Sequence, residues 1–142
     1  MISLFKKVQK NANDNHVILT KIAALLIYTA KIDEDYTKKE SEIIKKTIIE
    51  LGADKSNIDQ LISDATIIEK NSNQILDFTR EVKNLPEKDK IKIIESLWKI
   101  IYTNDNADIY ETSLMRKLAG LIYVDAKIMG ALKEKAKKEF IK

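Results

Sequence analysis

Apolar residues along this chain fall at helical spacing almost everywhere, and one segment departs from it by being apolar on nearly every face. Between Val17 and Ile32 lie Val17, Ile18, Leu19, Ile22, Ala23, Leu25, Leu26, Ile27 and Ala30. A helix apolar all round is one that other helices surround, so this segment predicts a central core helix. Asn13, Asp14 or Asn15 is the expected cap at its start. Polar Asp33-Glu34-Asp35-Tyr36 then breaks the pattern, and Thr37-Lys38-Lys39-Glu40 has the form of a capping box. It opens an amphipathic helix burying Ile43, Ile44, Thr47, Ile48 and Leu51, which Gly52 ends. Asp54 or Ser56 opens a third helix with Ile58, Leu61, Ile62 and Ala65 at core spacing.

A polar stretch, Lys70 to Asn73, precedes a short helix carrying Ile75, Phe78 and Val82, and Leu85-Pro86 marks the next boundary. The pattern then runs again. Ile91, Ile93, Ile94, Leu97, Trp98, Ile100 and Ile101 form an apolar helix, followed by polar Thr103 to Asn106. Asp108-Ile109-Tyr110-Glu111 is a second capping box, before a helix with Leu114, Met115, Leu118 and Ile122. Asp125 starts the last helix, with Ile128, Met129, Leu132, Ala136 and Phe140. A shift of 71 residues lays Leu26 on Leu97, Asp33 on Asn104, Glu40 on Glu111, Asp54 on Asp125 and Leu61 on Leu132. Two copies are too few for a solenoid. They predict one domain over residues 1–142, with pseudo-repeated halves at about 17–69 and 88–140. The expected fold is all-α, a single compact bundle of about seven or eight helices. Its core is expected to hold Ile22, Leu26, Ile44, Ile48, Leu61, Phe78, Ile94, Leu97, Trp98, Leu118 and Leu132.

Composition agrees. Three glycines and one proline in 142 residues cannot punctuate a sandwich or barrel, which turns every 8–12 residues or so. An apolar content of 44% is enough for one core. The absence of cysteine removes disulfides, thiolate zinc sites and cysteine nucleophiles, and fits a cytoplasmic setting. The longest strictly apolar run, Ile22 to Ile27, is far short of the ~20 residues that span a bilayer. A net charge of +3 is close to balance, and Arg80 and Arg116 are the only arginines. Bidentate base reading and phosphate clamping usually rely on arginine, so nucleic acid is not an expected partner.

The catalytic inventory is thin. His16 is the only histidine and has no serine or cysteine motif beside it, so it is read as structural. No glycine-rich phosphate loop, zinc-protease helix or nucleophile elbow is present, and no catalytic residue is assigned. What remains is the pair of acidic loops. Oxygen ligands on a loop between helices suit hard cations such as calcium or magnesium. The same acids sit at helix N-termini, where capping and the helix dipole already favour them. Both readings stand on the residues alone.

At these loops the chain resembles a known family, the tellurite resistance protein B-like (TerB-like) domains. Their pattern is an apolar helix running into Ala-Asp-Gly-x-x-x-x-x-Glu and an amphipathic helix, twice per domain. Here Asp33 and Glu40 fall on the family's aspartate and glutamate in the first copy, with Glu34 in place of glycine. Glu111 keeps the glutamate in the second copy, while Asn104 stands where the aspartate is expected and Asp105 replaces the glycine. Phe78-Thr79-Arg80 resembles the family's middle region. The resemblance implies an all-helical domain with the two loops brought together, no enzymatic activity, and a tellurite-resistance or stress-related setting. It implies a divalent metal site of Asp33, Glu40, Asn104 and Glu111, with no other cofactor, and a protein partner or self-association. The alternatives are a small carboxylate- or metal-dependent enzyme and a purely structural self-association domain.

Overall fold

The computed structural model describes residues 12–32, 37–72, 74–103 and 109–140. Seven α-helices occur among them, and no strand: α1 (Ala12–Ala30), α2 (Lys38–Glu50), α3 (Ile58–Asn71), α4 (Leu76–Thr79), α5 (Glu87–Thr103), α6 (Ile109–Leu121) and α7 (Ala126–Phe140). Short 3-10 turns cover Lys55–Asn57 and Val82–Asn84. None of the described helices is long and apolar enough to cross a membrane.

α1 packs most extensively on α3, and α5 on α7, so the repeat seen in the sequence is repeated in the packing. α2 joins the halves by lying against both α1 and α5. The central role of α1 holds: Ile22, Ala23, Ala24, Leu25, Leu26 and Ile27 have no exposed surface. Full burial of a Leu or Ile side chain stabilises by about 1.5–3 kcal/mol. Val17 departs from the expected pattern, being 48% exposed. Asn13, Asp14 and Asn15, the expected caps, fall within the helical residues of α1, and their side chains lie outside what is described. Of the expected core, Leu132 alone is only partly buried, packed at the edge of the cluster.

The chain reversals show how local chemistry sets the bundle. After α2, Gly52 takes φ 127°. The Gly52 amide donates to Ile49 O at 3.0 Å and the Ala53 amide to Ile48 O at 3.1 Å. This is the Schellman arrangement. After α6, Tyr123 takes φ 59° and the Val124 amide donates to Ala119 O at 3.0 Å. Those positions are 71 residues on. Asp54 Oδ1 then accepts from the Ser56 amide at 3.0 Å, and Asp125 Oδ1 from the Lys127 amide at 2.7 Å. The Ser56 amide, helped by the Ser56 side chain, holds the Asp54 carboxyl below its ordinary value.

Between the halves, α4 and the following 3-10 turn insert Phe78 and Val82 into the core. The Pro86 carbonyl accepts from the Asp89 and Lys90 amides at 3.0 and 3.1 Å, opening α5. A buried hydrogen bond between Thr47 Oγ1 and Ser96 Oγ pins α2 to α5. Lys31, just past the end of α1, reaches Glu69 of α3 at 2.8 Å, and Lys135 pairs with Glu95 between α7 and α5.

Candidate functional site

The acidic loop region is described from Thr37 onward. Thr37 is the N-cap of α2, with extended backbone, and Glu40 is the third residue of the helix. The Thr37 amide donates to Glu40 Oε1 at 2.8 Å and the Thr37 hydroxyl to the same oxygen at 3.0 Å. The Glu40 amide returns a bond to Thr37 Oγ1 at 3.3 Å. The capping box that the tetrapeptide predicts is therefore formed. What the spacing does not convey is that Glu40 has no exposed surface at all. A glutamate is almost never fully buried unless it is paired, because its charge leaves water at a cost of several kcal/mol.

The other proposed ligands are placed less completely. Asp33 and Asn104, with Asp105 and Asp108, lie outside the described residues. Glu111 is on α6, and its side chain also lies outside what is described. Among the described residues, no three His, Cys, Asp or Glu side chains come together as a metal-holding group.

Two further surfaces emerge that sequence spacing does not show. Between α1 and α3, a cavity of about 340 Å³ is lined by His16, Val17, Thr20, Asp64, Ile67 and Ile68. His16 Nε2 lies 3.2 Å from Asp64 Oδ2, and Asp64 also accepts from Gln60 Nε2 at 2.9 Å. The Thr20 hydroxyl donates to the His16 carbonyl at 2.6 Å rather than to the ring, so it is not set up as a nucleophile. Ile67 is 57% exposed at the rim. Residues 48 apart make the His16–Asp64 pair, and only the docking of α3 on α1 brings them together.

The second surface is a groove of about 290 Å³ between α5, α6 and α7. Trp98, Met115, Ala119 and Met129 supply its apolar wall, and Arg116 and Lys133 line it as well. Trp98 stacks on Tyr102 with ring centroids 6.1 Å apart, and Lys133 Nζ lies 5.5 Å from the Trp98 ring centroid. Trp98 Nε1 is buried without a hydrogen-bond acceptor among the described residues. The expectation that Trp98 serves the core holds, and Tyr102 is buried beside it. One edge of the indole also borders the groove.

Comparison with known proteins adds one match. A family model described as "Tellurite resistance protein TerB" covers residues 19–134. Searches of curated proteins and of solved structures gave no match. The matched span runs from the buried part of α1 into α7 and takes in both halves of the repeat. With most of its length inside that model and an all-helical fold, the chain belongs to the TerB family.

Proposed function

We propose that the chain is a non-enzymatic TerB module that works by binding a protein partner in a tellurite-resistance or stress-related setting in the cytoplasm. A divalent cation such as calcium or magnesium, held by Asp33, Glu40, Asn104 and Glu111, tunes it. One observation carries the reading: the Glu40 carboxylate is fully buried where an acid-rich loop enters α2. Capping alone is satisfied by a glutamate at the surface. A carboxylate withdrawn from water is stabilised by hydrogen bonds, a counter-charge or a metal. Asn104 contributes a neutral oxygen in place of a carboxylate, which lowers the charge of the site and its affinity. The partner half of the reading is supported by the apolar rim of Val17, Ile67 and Ile68, a surface a monomer gains nothing by exposing.

The test is thermal unfolding of the chain with calcium, magnesium and manganese titrated to millimolar levels. A cation that binds only the folded state at 100 times its Kd adds about 2.7 kcal/mol. Glu40→Gln and Asp33→Asn should abolish that rise. No shift with any of the three cations returns the loops to a capping role.

A further inference from the structure

We propose that the groove between α5, α6 and α7 binds a small amphipathic carboxylate, an aryl acid or a medium-chain acyl acid. Its apolar body would lie along Trp98 and the two methionines, and its carboxylate would meet Arg116 and Lys133. The site shares no residue with the cation loops, so the inference stands apart from the reading above.

The space is the first argument. An apolar cavity of about 150 Å³ accepts benzene, and this groove offers about 290 Å³. A Cβ placed on Gly130, which lines it, would meet nothing within 4 Å. The groove is also a departure from the chain's own repeat. The 71-residue shift puts Ile27, Ile44 and Ile48 where Trp98, Met115 and Ala119 stand. Those three isoleucines are fully buried in the first half. In the second half the Ile48 position has shrunk to alanine while the Ile27 position has grown to tryptophan. Among the described residues α6 also lies less closely against α5 and α7 than α2 does against α1 and α3, which leaves space beside the indole.

The chemistry of the lining is the second argument. Methionine and tryptophan offer polarisable, adaptable surface to aromatic and aliphatic groups alike. Arg116 and Lys133 form no ion pair with any described residue, and among the described residues no carboxylate lines the groove. An apolar wall with two cations that no described carboxylate pairs, one of them lying over the Trp98 ring, is complementary to an apolar body with one negative head. The guanidinium can hold that head through two parallel hydrogen bonds.

Trp98 is the only tryptophan, so its emission reports from the site. Octanoate is titrated into the full chain, with octanol and octylamine as neutral and cationic counterparts. The expected result is a saturable change in Trp98 emission with octanoate, and at least tenfold weaker binding of the other two. Ala119→Ile restores the residue of the first half and should weaken octanoate at least tenfold without lowering the melting temperature. The double variant Arg116→Gln/Lys133→Gln alters only partly or fully exposed side chains and should bring octanoate down to the level of octanol. If Ala119→Ile fails to fold, the double variant decides alone. Equal binding of octanoate and octanol, no saturable signal, or undiminished affinity in a folded variant overturns the proposal.

Discussion

Thr37→Val is the sharpest probe of how the loop entering α2 is held. Valine keeps the shape of the side chain and removes its hydroxyl. The Glu40 amide then loses its acceptor at 3.3 Å, and Glu40 Oε1 loses the donor at 3.0 Å while keeping the Thr37 amide at 2.8 Å. Loss of an N-cap costs about 0.5–2 kcal/mol, and a hydrogen bond to a charged group is worth about 1.5–3 kcal/mol. One hydroxyl makes both bonds, so the two figures overlap and the expected cost is about 2–3 kcal/mol. For a chain of this length that lowers the melting temperature by about 6–15 °C. Glu40→Gln keeps an oxygen for the Thr37 amide and gives up the charge beside the helix N-terminus, costing about 1 kcal/mol. The two side chains share their bonds, so the double variant should cost about 1 kcal/mol less than the sum. Metal-free thermal and urea unfolding, followed by far-ultraviolet circular dichroism, reads all four proteins. A Thr37→Val cost below about 0.5 kcal/mol, or strict additivity, would falsify the claim that this box holds a buried charge.

Two buried-side carboxylates of α5 should respond to pH in opposite directions. Burial pushes the Asp89 carboxyl up against the opposing charges of Lys88 and Lys92, and its Oδ2 has no hydrogen-bond partner among the described residues. The folded state thus holds that proton more tightly than the unfolded chain, and its contribution grows as pH falls through the folded value. Asp89→Asn should be more stable than the parent at neutral pH and lose that advantage in mild acid; urea midpoints that move the other way would refute this. Burial also pushes Glu95 up, but the hydrogen bond and charge of Lys135, with Lys99 and Lys92, outweigh it and hold Glu95 low. Its stabilisation is present at neutral pH and is lost as pH falls through the folded value, so the deficit of Glu95→Gln should vanish in acid. Lys135 is well exposed, which limits that deficit to about 1 kcal/mol. Gly130→Ala, in the interior of α7 with open space at the Cβ, should stabilise by about 0.5–1 kcal/mol, read as a higher melting temperature. Tyr123→Gly relieves a left-handed backbone worth about 1–2 kcal/mol but loosens the unfolded chain. It should gain about 0.5 kcal/mol, and a loss above 1 kcal/mol would show that the ring contact with Lys90 matters more than the strain.

What could be read from the residues alone is what local chemistry decides. The Thr37–Glu40 box, the stop at Gly52 and the opening at Asp54 each need only a few consecutive residues, and each is formed. The exposure of Val17 and Ile67 was not legible, because it depends on how far α3 covers α1, and periodicity does not measure coverage. Tyr123 carries no turn signal of its own; only its alignment with Gly52 betrays a left-handed residue there. Full burial of Glu40 was equally hidden, since a capping box reads the same in water or out of it. The groove beside Trp98 depends on both kinds of information. The reversals from second to third helix are closed by the same backbone bonds in the two halves, Ala53 to Ile48 and Val124 to Ala119. Around that shared turn the helices are set differently: among the described residues α2 lies against both α1 and α3, whereas α6 meets α5 and α7 only sparsely. The first half fills the position of Ala119 with a fully buried isoleucine. Space beside Trp98 therefore comes from the wider setting of α6 together with the small side chain at 119, and isoleucine at 119 should take up part of it.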